Sequence, residues 1–100
     1  MQRMVDATNA GDHAAFVDCF TEDCYLEDWG RQFHGHDGVA SWDETDNIGK
    51  HTHFRVEGTR QDGDAWVVTL TVTGDGFNGT SEFVFEVRGD RIRSMVIRPD

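Results

Sequence analysis

The sequence predicts an α+β domain in which helices come first and an antiparallel sheet follows. Before Lys50 apolar residues recur at helical spacing, as in Met1, Met4, Val5 and Thr8. After Lys50 they alternate: Trp66, Val68, Leu70 and Val72 face one way, Val67, Thr69, Thr71 and Thr73 the other. Short Gly-bearing turns at Gln61–Asp64 and Arg88–Arg91, with a Gly-rich connection from Gly74 to Gly79, join the strands as antiparallel neighbours.

Each element has its own signal. Gly11 suits the position just past the first helix, and Asp12 is a good N-cap for a second helix whose apolar face is Phe16, Cys19 and Phe20. Thr21-Glu22-Asp23 is expected to break that helix, with a first strand from Cys24 to Trp29. Gly30 and Gly35 bracket a short returning strand, Arg31 to His34. A third helix is expected from about Asp37 to Asn47, stopped by Gly49, with Asp43-Glu44-Thr45-Asp46 as a solvated face. Strands follow around Phe54 and Val56, Trp66 to Val72, Phe83 to Val87, and Ile92 to Arg98.

One hundred residues make one domain, spanning 1–100, with a modest core. Its 37% hydrophobic fraction is low, which favours a homodimer built on the outer sheet face through Val67, Thr69, Thr71 and Val84. The net charge of −10 argues against nucleic acid and anionic membranes, and favours a neutral or cationic small partner. No apolar run reaches membrane-spanning length, and Met1-Gln2-Arg3 leads straight into polar sequence, so a cytoplasmic location is expected. Cys19 and Cys24 lack metal or disulfide spacing and read as small core hydrophobes. The Asn78-Gly79-Thr80 sequon is discounted for want of a secretory signal. Gly74-Asp75-Gly76 precedes no helix and reads as a hairpin connection rather than a phosphate loop.

The residue that points most directly to chemistry is Asp28. On a strand from Cys24 it shares a face with Cys24 and Leu26, while Tyr25 and Glu27 take the other. If Leu26 points into a core, so does Asp28, and a carboxyl between apolar walls is a candidate acid/base. The alternative is a strand-end Asp that accepts turn hydrogen bonds. His51 and His53 share a strand face, and His34 and His36 flank Gly35. No third ligand is fixed by spacing, so no metal is expected, nor any other cofactor. His53 is a candidate second acid/base or hydrogen-bond partner for Asp28. His13, at a helix start, is expected to be exposed.

The order helix, Ala-Gly-Asp, helix, Phe-Thr-Glu-Asp-Cys-Tyr-Leu-Glu-Asp, Gly, helix, then four strands ending in Gly-Asp-Arg-Ile-Arg-Ser-Met is similar to the SnoaL-like branch of the NTF2-like superfamily. The resemblance covers essentially the whole chain. It implies a cone, a curved antiparallel sheet wrapped around three helices with an apolar pocket inside. Its relatives include polyketide cyclases, ketosteroid isomerases, dehydratases and epoxide hydrolases, alongside binding and assembly modules without chemistry. Leu26-Glu27-Asp28 matches the isomerase strand that carries the proton-shuttling Asp. The oxyanion-donor Tyr of that branch is here Met4, and its protonated Asp is here Phe83. Losing one such donor costs roughly 3–4 kcal/mol in other enzymes, so a ketosteroid isomerase proper is disfavoured.

The cone places Leu26, Trp42, Phe54, Trp66, Phe83 and Phe85 around Asp28, with Met4 and Phe16 closing the helix side. Two functions follow from this reading. One is an isomerase-, cyclase- or dehydratase-like acid/base enzyme acting on an apolar or cyclic ligand. The other is a non-catalytic ligand-binding or dimerisation module.

Overall fold

The first helix, α1 (Gln2–Ala10), turns Met4, Val5, Ala7 and Thr8 inward and ends at Gly11, whose φ of 68° is the left-handed cap anticipated there. The computed structural model describes residues 1–99. Asp12 caps α2 (His13–Asp18) by accepting from the Ala15 amide at 3.1 Å. The second helix ends at Asp18, ahead of the break expected at Thr21–Asp23, and that run lies in a strand instead. Strand β1 runs Phe20–Asp28, and its register against β6 jumps between Phe20 and Tyr25, so the polar run is absorbed as an irregularity within a longer strand.

The chain then forms β2 (Arg31–His34) and α3 (Gly35–Asp46), which starts before the expected Asp37, and a 3₁₀ turn at Ile48–Lys50. Gly49 is dictated by that turn, because a Cβ there would sit 1.4 Å from the Glu44 carbonyl oxygen. Strands β3 (His53–Asp62), β4 (Ala65–Thr73), β5 (Gly79–Arg88) and β6 (Arg91–Ile97) complete the domain.

The six strands form one curved open sheet in the order β2-β1-β6-β5-β4-β3. The β3–β6 meander is antiparallel throughout; β6 then lies parallel to β1, the single parallel junction among the described residues. Register shifts at Val56/Gly58 and Glu86/Val87 are the irregularities that bend such a sheet. Arg55, Glu57 and Arg60 line the edge strand β3 with charge, which opposes edge-to-edge pairing.

Phe16, Phe20, Leu26, Leu70, Phe85, Ile92 and Met95 fill the concave side, and both cysteines are buried there as expected. Trp66, Val68, Leu70, Phe83 and Phe85 all face it, although Trp66 is only partly buried. Asn9 fastens α1 to the sheet by imitating a strand: its Oδ1 accepts from the Phe54 amide at 2.8 Å and its Nδ2 donates to the Phe54 carbonyl at 2.9 Å. Among the described residues no helix is long and apolar enough to cross a membrane.

Candidate functional site

The concave face is not filled evenly. Where β1, α3 and the β4–β5 connection converge, a cavity of about 320 Å³ remains, with Asp28 on its wall. Asp28 is the last residue of β1, on the same face as the buried Leu26, and its side chain is 19% exposed. It is therefore both inward-facing and hydrogen-bonded across a turn. Its Oδ2 accepts from Trp42 Nε1 at 2.9 Å and from Arg31 at 2.6 Å. Its Oδ1 makes no protein hydrogen bond among the described residues. The donors that hold the carboxylate are thus Trp42 and Arg31, not His53.

Arg31 is the register partner of Asp28 across the β1–β2 hairpin. Its guanidinium also reaches Asp46 at 3.2 Å, and the hydrogen bonds from Asp46 and Asp28 push its pKa above the ordinary arginine value. Asp46 lies four residues after Trp42 on α3, hence on the same helix face. Two carboxylates and one guanidinium give this end of the cavity a negative balance.

The hairpin itself is unusual. Its central residues, Trp29 and Gly30, have φ of 50° and 89°. A bulky aromatic in the left-handed region is an outlier, and such strain gathers at functional sites. It sets Trp29, half-exposed, at the cavity, with Phe77 edge-on at 5.7 Å between ring centroids. Phe77 is carried by a loop that Asn78 braces, accepting from the Gly74 amide and donating to the Gly74 and Gly76 carbonyls.

Of the residues expected to line a pocket, Trp42, Phe54 and Phe83 border this cavity. Met4, Phe16, Leu26 and Phe85 do not; they pack into the solid core, Phe16 stacking behind Trp42 at 6.0 Å. Trp66 sits at the far end of β4, opposite Gln61 and Phe85. His53 is exposed and does not border the cavity. The reason is the period of two, since inward Phe54 forces its neighbour outward. The remaining histidines engage elsewhere: His51 lies 2.7 Å from Asp75, and His36 Nε2 lies 2.8 Å from the Phe20 carbonyl oxygen. Among the described residues no cluster of three or more His, Cys, Asp or Glu could hold a metal ion.

The acidic run on α3 needs correction. Asp43 is fully buried rather than solvated, and half-exposed His13 lies 2.6 Å from its Oδ2. Asp43 Oδ1 accepts from Asn47 Nδ2 at 2.8 Å, and the same Nδ2 donates to Thr8 Oγ1 at 3.0 Å. This network fixes Asn47, which borders the cavity along with Thr52, Val72, Ser81 and Ile97.

The family model of the SnoaL-like domain matches residues 1–95. No protein of curated function matches the chain. Among solved structures, a putative polyketide cyclase from Sinorhizobium meliloti superposes with a TM-score of 0.86 at 23% identity, covering 96% of this chain and 90% of that one. RV0760c from Mycobacterium tuberculosis, solved with estradiol-17β-hemisuccinate, superposes with a TM-score of 0.80 at 16% identity, covering 99% and 89%. A protein of ketosteroid isomerase-like fold from Catenulispora acidiphila, in complex with trimethylamine, gives 0.85 at 16%, covering 99% and 83%. At these identities the likeness is one of fold, whereas the family match spans nearly the whole sequence: the chain belongs to the SnoaL-like domain family.

Proposed function

We propose that the cavity binds a small, largely apolar ligand and that Asp28 acts on it as an acid/base. One observation carries this: a carboxylate with one oxygen pinned by Trp42 and Arg31 and the other without a partner among the described residues, on the wall of an otherwise mainly apolar cavity. The pinned oxygen fixes the carboxylate's orientation, leaving Oδ1 to take a proton from a carbon next to a carbonyl and return it. Arg31 offers a hydrogen-bond donor in place of the two neutral donors that the departures at Met4 and Phe83 remove. Its guanidinium lines the same cavity, where oxyanion charge would develop. The steroid seen in the M. tuberculosis protein supports an apolar, cyclic ligand by analogy of fold.

Deuterium incorporation into 2-tetralone in D₂O, followed by proton NMR, tests the reading. Wild type is expected to accelerate exchange. Asp28→Asn is expected to reduce it at least 100-fold, on the order of what a lost general base costs, while binding changes little. If 2-tetralone binds but exchange is not accelerated, the cavity belongs to a binding module rather than an enzyme.

The homodimer remains part of the proposal. Thr69, Thr71 and Val84 are partly exposed on the outer sheet face, whereas Val67 is already buried within one chain. Ion pairs from Glu82 to Arg60 and Arg98 flank that patch. A sedimentation mass of two chains at micromolar concentration is expected; a monomer at high micromolar concentration contradicts it.

A further inference from the structure

The aromatic residues of the cavity are sorted by depth. Its floor is formed by the buried Trp42, Phe54 and Phe83, whereas the half-exposed Trp29 and Phe77 stand at its mouth. These two rings meet edge-on and belong neither to the core nor to the hydrophobic residues packed against it. Among the described residues the charged groups on the cavity wall are Asp28, Arg31 and Asp46. The guanidinium lies 2.6 Å from Asp28 and 3.2 Å from Asp46, so its single charge is shared between two carboxylates and one negative charge is left over. An aromatic ring attracts a cation through its quadrupole, Trp most strongly, and a surplus carboxylate nearby adds to that attraction. An aliphatic mouth would serve a neutral ligand equally well; rings beside surplus negative charge favour a cation. The net charge of −10 acts in the same direction at longer range and disfavours anions.

We infer that the ligand carries a positive charge: the cavity takes an apolar amine or quaternary ammonium compound. Its skeleton lies on the floor of Trp42, Phe54 and Phe83, and its cation lies at the mouth against Trp29 and Phe77, within the field of Asp28 and Asp46. This rests on the proposal that the cavity binds a small, largely apolar ligand, and it names the class of that ligand. The acid/base chemistry proposed for Asp28 is compatible with it, because an enolisable ketone can carry the ammonium group.

The probes are 3-(trimethylammonio)acetophenone and 3-tert-butylacetophenone, enolisable ketones of nearly the same shape that differ by a unit charge. Calorimetry on the wild-type protein at low salt is expected to show the cation binding about tenfold more tightly, on the scale of a partly desolvated cation–π contact. High salt is expected to narrow the gap, because the share due to the carboxylates is screened. Asp46→Asn removes a charge, and Phe77→Leu exchanges a ring for an aliphatic side chain. Each is expected to weaken the cation several-fold and the neutral ketone much less. Asp46 also holds Arg31, so the neutral ketone is the control: a merely structural role would weaken both probes alike. Equal affinities, or tighter binding of the neutral ketone, overturn the inference and leave the ligand-binding proposal standing. A preference that neither variant reduces also overturns it, because the cation is then not held at this mouth. If neither probe binds, the ligand-binding proposal fails and this inference falls with it.

Discussion

The two ends of the concave sheet face are built from the same alternating strands, yet one is solid and the other hollow. At the solid end Met4 of α1 and Phe16 of α2 share one core with Phe20, Phe85, Ile92 and Met95 of the sheet, all of them essentially inaccessible to solvent. At the hollow end α3 offers Trp42 but follows it with Asp46 and Asn47, and a loop rather than a helix supplies Phe77. The polar groups are spent differently as well. Behind the helices Asn47 Nδ2 ties Thr8 to Asp43, which His13 also meets, whereas at the cavity Asp28 Oδ1 is left without a partner among the described residues. Stability is concentrated at one end and available chemistry at the other, the usual division between a scaffold and a site.

Substitutions at each end should separate the two roles. Phe16→Ala, in the solid end, is expected to cost about 3–5 kcal/mol in urea unfolding, because a buried ring leaves a cavity that rigid neighbours cannot fill. A loss below about 1 kcal/mol would show that end to be loosely packed.

Trp29→Asn sharpens the contrast from the other side. It places Asn-Gly, the favoured pair for a hairpin turn with both φ values positive, where Trp-Gly now stands. A stability gain of about 1 kcal/mol is expected from relief of the left-handed aromatic. Weaker ligand binding should accompany it, and unchanged binding would mean that Trp29 is strained for no functional end. Phe77→Ala removes a half-exposed ring, so stability should stay within about 0.5 kcal/mol while affinity falls several-fold. Parallel loss of both would make Phe77 part of the core.

The smallest effect lies on the outer face. Arg60 and then Arg98 hold the Glu82 carboxyl below its ordinary value of 4.5. A lowered folded-state pKa stabilises the fold above the unfolded value, and that contribution fades as pH falls through the folded one. Glu82→Gln should therefore lower the midpoint of thermal unfolding slightly at pH 7 and not at pH 2, and more weakly in high salt. An effect independent of pH would mean the ion pair contributes nothing.

Much of this contrast was legible in the residues. Alternation after Lys50 foretold the sheet, Gly11 and Asp12 the first helix boundaries, and the spacing from Leu26 to Asp28 the inward carboxylate. Arg31 was also within reach, because a two-residue hairpin after Asp28 must place it opposite, and Asp46 shares a helix face with Trp42. His53 was misplaced against the same rule of alternation that placed Phe54. What the sequence could not reveal depends on distant contacts. Met4, Phe16, Leu26, Trp66 and Phe85 carry the same apolar signal as the cavity residues, and only helix placement decides which are covered. Asp43 near the end of α3 and Asn47 just past it are polar residues; their burial is set by Thr8 and His13, thirty or more residues away in the chain. Phe77 lies in a loop, where no period applies.

The most direct test of the central claim uses the indole N–H signals of the three tryptophans during titration with 2-tetralone. Trp42 donates to Asp28 and Trp29 stands at the same cavity, while Trp66 lies at the far end of β4. The account predicts that the Trp42 and Trp29 signals move together and saturate, with Trp66 unmoved. A shift confined to Trp66, or saturable binding that leaves Trp42 untouched, would contradict it.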